Sequence, residues 1–423
     1  MDLIRVPMRG RAAAAVAACI LGVLATSARA DDQTVRVGFI DPLSGLMGPV
    51  GNNQLHSWQY VADIANRDHW AKGVKFEIVA FDNKLSPQES LNNLKSATDQ
   101  GIRYVVQGNG SSVALALVDG INKFNDRNPG KEVVFLNYAA VDPDLTNAKC
   151  SFWHFRLDAN SDMKMEALTT YMKGQPRIKN VYLINQDYSF GQSVRKTARE
   201  YLARKRPDVQ IVGDDLHPLA KVTDFSQYVA KMKAAGTDTV ITGNWGSDLA
   251  LLIKAAHEAG LEANFYTYYA GTTGVPTQMG ADGVDRVRYV AYWNVNPGTP
   301  ASDALVTGFK QRFKDDYYTL ATWTGLKLLA EGINKAKSTD PVKVAYAMEG
   351  LRFAGINGDI EMRATDHQAQ QQLVIASWQK VDGKTVRFDQ ENTGYGWRTE
   401  ATLDPYVAAQ PTSCQMQRPA KPN

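Results

Sequence analysis

Residues Gln107 to Leu117 read QGNGSSVALAL, a glycine-flanked serine pair between the apolar run Ile102 to Val106 and a helical pattern. Serines in such a turn could serve as a nucleophile, as part of a phosphate cradle, or as a cap that holds a carboxylate. A nucleophile elbow requires Gly-x-Ser-x-Gly, and Gly110-Ser111-Ser112 does not supply it. A dinucleotide fingerprint fails at Val113, where glycine or alanine belongs, and the strand before it is third rather than first. No complete phosphate-loop motif occurs. The six histidines, His56, His69, His154, His217, His257 and His367, stand singly, none at metal-ligand spacing with a partner; they read as surface or satisfied core residues. No catalytic residue, metal site or cofactor is therefore expected. What remains is a helix N-terminus, where the amides and hydroxyls of Ser111 and Ser112 either bind an anion or merely cap the helix they begin.

The elements around this turn alternate. From Val35, short β-rich runs (VRVGFID, VKFEIVAFDN, IRYVVQG, EVVFLNYAA) are separated by helical stretches, one of which opens with Ser86, Pro87 and Glu89 in a capping box. A second set follows FRLDAN, with strands NVYLINQD, VQIVGDDL, TVITGN and NFYTYYA. Strand-helix alternation with apolar strands predicts parallel sheets covered on both faces, and two sets predict two similar lobes. Three later helices, within 302–351, and the strands GDIEMR and QLVIASWQKV are too few for a third domain and are expected to complete those lobes. Ligands of open α/β folds sit beyond the carboxyl ends of the strands. There the sequence places NYAAVD, QDYSFG, GNWGSD and TYYAG, with Tyr188, Trp245, Tyr268 and Tyr269 clustered at that edge.

The chain has 423 residues. Arg5, Arg9 and Arg11 precede the apolar run Ala12 to Leu24, and Ala28-Arg29-Ala30 follows, which predicts a secretory signal over residues 1–30, a mature start near Asp31 and an exported product. The run is too short to span a bilayer, so direct membrane insertion is not expected. Cys19 could be read as a lipoprotein site, but it lies inside the apolar run. The whole chain has 47 basic and 44 acidic residues; the signal carries four arginines and one aspartate, leaving 43 of each. A neutral chain without a basic block argues against nucleic acid as a partner. Cys150 and Cys414 remain, most simply as a disulfide in an oxidising compartment, alternatively as two separate thiols.

The order and spacing of VRVGFIDPLSGLMGPVGNNQLHSWQYVADIAN, VAFDNKLSPQES, GIRYVVQGNGSSVAL, DPDLT, DYSFGQ and DFSQYVAKMKAAGTDTVITG resemble the periplasmic solute-binding proteins of ABC importers, of the branched-chain amino-acid type. The resemblance covers nearly all of the mature chain. It implies a type I periplasmic binding fold: two Rossmann-like α/β lobes joined by a three-stranded hinge, with crossovers near Arg156, Tyr292 and Thr365. The lobes are then 31–156 plus 293–365 and 157–292 plus 366–423. It further implies that the ligand's carboxylate meets Ser111 and Ser112 and residues after the fourth strand, Ala140 and Val141, while Tyr188, Phe190, Trp245 and Tyr269 form the opposite wall. The implied partners are a small carboxylate ligand and the membrane permease of an ABC importer, the protein acting as a monomer.

Two positions depart from the family pattern. Val141 stands where amino-acid binders usually present a threonine, and Tyr269 where they present a glutamate to the ligand's ammonium group. An ammonium ion in a closed cleft without a carboxylate partner costs several kcal/mol, so a carboxylate with an apolar or aromatic body is expected. The alternative is a shifted register, with Asp187 or Asp248 supplying the charge. Two other functions are a ligand-sensing module that works without a permease and, more remotely, a secreted α/β hydrolase using one of the serines.

Overall fold

A computed structural model describes residues 32–422, so the expected signal over residues 1–30, with Cys19, lies outside the described residues. The first half lays down β1 (Gln33–Asp41), α1 (Gly48–Arg67), β2 (Val74–Asp82), α2 (Pro87–Asp99), β3 (Tyr104–Gln107), α3 (Ser111–Arg127), β4 (Val134–Asn137) and β5 (His154–Arg156). These five strands form one parallel sheet in the order β2-β1-β3-β4-β5. Every residue of β3 and β4 is buried, as continuous apolar strands covered on both faces must be.

The chain then builds α4 (Ser161–Met172), β6 (Asn180–Gln186), α5 (Ser189–Lys205), β7 (Gln210–His217), α6 (Ser226–Ala234), β8 (Thr239–Thr242), α7 (Gly246–Glu258), β9 (Asn264–Thr267), α8 (Val275–Met279) and β10 (Val287–Ala291). Helices α9 (Pro300–Phe313), α10 (Ala321–Ala336) and α11 (Pro341–Met348) return to the first lobe, where α9 and α10 pack on α1. The last strands are β11 (Arg352–Gly355), β12 (Gly358–Met362), β13 (Ala369–Gln370), β14 (Leu373–Lys380) and β15 (Tyr395–Leu403).

The second sheet runs β15-β14-β10-β9-β8-β6-β7. It is parallel from β7 to β10, but β14 and β15 join antiparallel, which corrects the expectation of a wholly parallel sheet. The connection from Lys380 to Tyr395 contains no helix, and without the helical crossover that parallel neighbours usually need, the chain turns back on itself into an antiparallel pair. GDIEMR does not extend either large sheet; as β12 it sits inside a small antiparallel sheet, β11-β12-β13.

Three segments cross between the sheets and are tied to one another. Asn357 donates through Nδ2 to the Tyr292 carbonyl and to Gln371 Oε1, and Gln371 Nε2 donates to the Leu157 carbonyl, at 2.7–3.0 Å. Arg156, fully buried, donates to Gln368 Oε1, to the Asp142 carbonyl and to Thr146. Cys150 and Cys414 form a disulfide. With it the C-terminal tail lies along the first lobe: Thr412 donates to the Thr146 carbonyl and Tyr346 to the Pro419 carbonyl. This departs from the expected placement of the whole tail with the second lobe, because the cystine fixes Cys414 beside residue 150.

Candidate ligand site between the lobes

The turn after β3 is built from β1. Asp41, the last residue of β1 and fully buried, accepts hydrogen bonds from the Gly108 and Asn109 amides at 2.9 and 2.8 Å and from the Tyr138 hydroxyl. Burial outweighs these bonds and raises its carboxyl to about 7. Gly108 has no room for a side chain, since a Cβ there would stand 2.5 Å from the Tyr138 ring. Gly110 turns the chain into α3 at φ 90°, a conformation that favours glycine.

Gly110, not a serine, is the residue that precedes the helix, and no side chain caps α3. Ser111 is the first helical residue and points elsewhere: its Oγ accepts from the Asp142 amide at 3.2 Å, which leaves its own proton to donate. The self-capping reading is thus corrected. An N-terminus without a side-chain cap presents amides and the positive end of a 17-residue helix dipole.

Across from it stand aromatic residues of the second lobe. Tyr188 and Trp245 end the loops before α5 and α7 and are joined by a 3.0 Å hydrogen bond from Trp245 Nε1 to the Tyr188 hydroxyl. Phe190 packs edge-on against Tyr188, Tyr268 and Tyr269, with ring centroids 5.6–6.0 Å apart, a favourable aromatic arrangement. The lobes touch: Ser247 Oγ donates to the Leu46 carbonyl at 2.6 Å, and the Tyr269 hydroxyl lies 3.1 Å from the Ala139 carbonyl.

Ser111, Ala140, Val141, Tyr188, Phe190, Trp245 and Tyr269 all line one cavity of about 30 Å³. Ser112 does not; it stands one residue further along the helix and outside these walls. Ala140 contributes its surface but not its amide, which donates to Asn137 Oδ1 at 2.8 Å. Neither Asp187 nor Asp248 is among the walls. Asp187 accepts from Gln192, and Asp248 is buried where it accepts from Gln186 and the Ala220 amide. The shifted-register alternative therefore finds no carboxylate here.

Sequence reasoning missed four contributors. Asp41, Gln54 and Thr272 were passed over, although an aspartate ending an apolar strand beside a glycine-rich turn was a readable signal. The fourth, Asp158 in FRLDAN, is fully buried and paired with equally buried Lys164 at 2.7 Å. Burial raises the Asp158 carboxyl and lowers the Lys164 ammonium, each partly offset by the other. Asp158 Oδ2 is 3.2 Å from the Tyr269 hydroxyl, and the Lys164 ammonium lies 4.4 Å over the Tyr269 ring centre.

Comparison with known proteins agrees with this architecture. The family described as periplasmic binding protein matches residues 34–384. Leu/Ile/Val-binding protein homolog 4 of Brucella abortus is 32% identical over 413 residues, 95% of this chain and 97% of that protein. The closed form of a leucine-, isoleucine-, valine-, threonine- and alanine-binding protein from Brucella ovis superimposes with a TM-score of 0.81 at 31% identity, covering 92% of this chain and all of that one. A solute-binding protein of an ABC transporter from R. palustris, solved with benzoate, shares the fold at 17% identity and a TM-score of 0.77, covering 90% and 99% of the two chains. The chain therefore belongs to the periplasmic binding proteins of the branched-chain amino-acid type, the non-enzymatic solute-binding components of ABC transporters.

Proposed function

We propose that this protein captures a small carboxylate with an apolar or aromatic body, its anion held by the α3 N-terminus and the Ser111 hydroxyl and its body walled by Tyr188, Phe190, Trp245 and Tyr269. The observation that carries the reading is the convergence of these side chains, from both lobes, on one cavity beside a helix end without a side-chain cap. The lobes divide at the crossovers near Arg156, Tyr292 and Thr365 and close on the ligand, a monomer whose closed form is what a membrane permease receives. Cleavage near Ala30 releases it into the periplasm.

The names of the two Brucella relatives favour a second reading, an aliphatic amino acid. Against it, the carboxylate nearest Tyr269, that of Asp158, is already neutralised by Lys164, so an incoming ammonium would lose hydration without gaining a counter-ion. Thermal-shift measurements on leucine, valine, benzoate and isovalerate separate the two, since a ligand that binds only the folded state raises its stability by mass action. Benzoate or isovalerate is expected to stabilise and the amino acids not; stabilisation by leucine or valine alone overturns the proposal. Ser111→Ala is expected to weaken calorimetric affinity for the stabilising carboxylate by about 1–3 kcal/mol, as loss of a hydrogen bond to a charged group does.

A further inference from the structure

The second sheet does not end the chain. Leu403, the last residue of β15, pairs with Leu373 in the second lobe, whereas Cys414 is bonded to Cys150 in the connection between β4 and β5 of the first. Besides the three crossing segments, the backbone from Leu403 to Cys414 thus makes a further covalent path between the lobes, and the path is complete only while the cystine is oxidised. Both cysteines are half-buried, and neither is sealed in the core.

Between its ends the tail is held on both sides. The Pro405 carbonyl accepts from Gln370 of β13, and Gln410 is gripped twice: its carbonyl accepts from Arg363 on the last crossing segment and its Oε1 from the Tyr201 hydroxyl of α5 in the second lobe, each at 3.2 Å. The first lobe takes over from there. Thr412 donates to the Thr146 carbonyl and the Ser413 amide to Asn147 Oδ1, at 2.7 and 3.0 Å. Beyond the cystine, Arg418 pairs with Glu349, and the Pro419 carbonyl accepts from Tyr346.

Tied to one another, the three crossing segments form the joint about which the lobes turn. The tail meets the lobes away from that joint, at Tyr201 on one side and at Thr146, Cys150 and Tyr346 on the other, so it must change its path when they turn. A link of fixed length removes arrangements from whichever state has more of them, the argument that holds for a cystine and an unfolded chain. Here that state is the open one. The closed arrangement, in which all these bonds are made, loses nothing.

We propose that the C-terminal tail is a redox-releasable tether that narrows the open ensemble of the two lobes and so favours closure. The releasing agent is a dithiol. One of its sulfurs attacks the cystine as a thiolate, the other resolves the mixed disulfide, and two electrons and two protons pass to Cys150 and Cys414, which are left as thiols while the dithiol becomes a disulfide. The open state then widens, the ligand-competent fraction of chains falls, and apparent affinity falls in proportion.

Small-angle scattering of the ligand-free protein tests the tether. Treatment of the folded chain with dithiothreitol is expected to make both thiols reactive toward an aromatic disulfide reagent and to enlarge the radius of gyration. A Gly-Ser-Gly-Ser-Gly-Ser insert between Tyr406 and Val407, both exposed, keeps the cystine and lengthens the path. It is expected to give the larger radius without reduction, at the parent's urea midpoint, which a merely stabilising cystine would not do. Cys150→Ser/Cys414→Ser should show the larger radius and no response to dithiothreitol. Calorimetric affinity for benzoate or isovalerate is expected to fall about two- to fivefold on reduction, an effect that rests on the carboxylate reading, whereas the radii need no ligand. Thiols that react only on unfolding, a radius unchanged or smaller after reduction, or an insert variant as compact as its parent would each overturn the tether. Equal affinity before and after reduction would overturn its coupling to closure, and failure of both acids to bind either form would overturn the carboxylate reading alone.

Discussion

Asp41 illustrates what one buried carboxyl does at the residue scale. It organises the Gly108-Asn109 turn through two amides, yet burial holds its carboxyl up at about 7, above the usual carboxylate range. A group raised on folding binds its proton more tightly in the folded state, so the native state is favoured fully below the unfolded value, near 4, and that advantage is lost as pH rises through 7. The melting temperature is therefore expected to fall between pH 5 and pH 8 through this residue. Asp41→Asn, a neutral mimic of the protonated form, should flatten that slope; an unchanged slope in scanning calorimetry would remove Asp41 as its source. Tyr269 acts differently. Its hydroxyl meets Ala139 across the cleft, and Tyr269→Phe is expected to cost about 0.5–1.5 kcal/mol of closure, read as a roughly two- to tenfold weaker calorimetric affinity for the carboxylate.

At the scale of elements, the regular parts were readable because their signals are local. Half of the expected capping box is present: Ser86 Oγ accepts from the Glu89 amide and α2 begins at Pro87, but the Ser86 amide donates to the Asn83 carbonyl and not to the Glu89 side chain. The alternating strands and helices of both sheets fall within a few residues of their predicted places. What escaped was β15 and the partners of β12: β11 and β13 have only four and two residues, too few to carry a readable alternation, and β15 (YGWRTEATL) has few apolar residues. The tail is held by remote contacts, above all the cystine between Cys150 and Cys414, 264 residues apart. Closing so long a loop constrains the unfolded chain strongly, and removing a native disulfide typically costs about 2–4 kcal/mol. The double variant Cys150→Ser/Cys414→Ser should lower the unfolding free energy by about that amount in urea titrations and open the tail beyond Thr412 to proteolysis; unchanged values on both counts would show that the hydrogen bonds to Thr146 and Tyr346 suffice.

For the whole molecule, the interlobe contacts describe a cleft already drawn together. The three crossing segments are bound into one unit by Asn357, Gln371 and Arg156, so rotation of the lobes must be absorbed beside that unit rather than within it. A ligand that bridges the lobes favours the closed arrangement by its difference in affinity for the two states. Small-angle scattering is expected to show a smaller radius of gyration with saturating carboxylate than without it. In Asn357→Ala the link from Tyr292 to Gln371 is lost, and the difference should widen as the open state gains freedom; identical radii in all four samples would refute lobe closure as the response to ligand.

By itself the sequence determined the alternation of strands and helices, the near balance of 47 basic and 44 acidic residues, the serine at a helix start and the aromatic residues at one sheet edge. These follow from periodicity, turn chemistry and composition, which neighbouring residues carry. The carboxyl ends of parallel strands are adjacent whenever such a sheet forms, and this brings Ser111, Ala140, Val141, Tyr188, Phe190, Trp245 and Tyr269, though not Ser112, around one cavity. Tertiary structure alone decided that Gly110 rather than a serine precedes α3, that the Ala140 amide is spent on Asn137, and that Asp158 meets Lys164 beneath Tyr269. Hydrogen-bond partners and burial are properties of the folded whole: a donor's availability depends on which remote acceptor reaches it first, and no local pattern of residues encodes that.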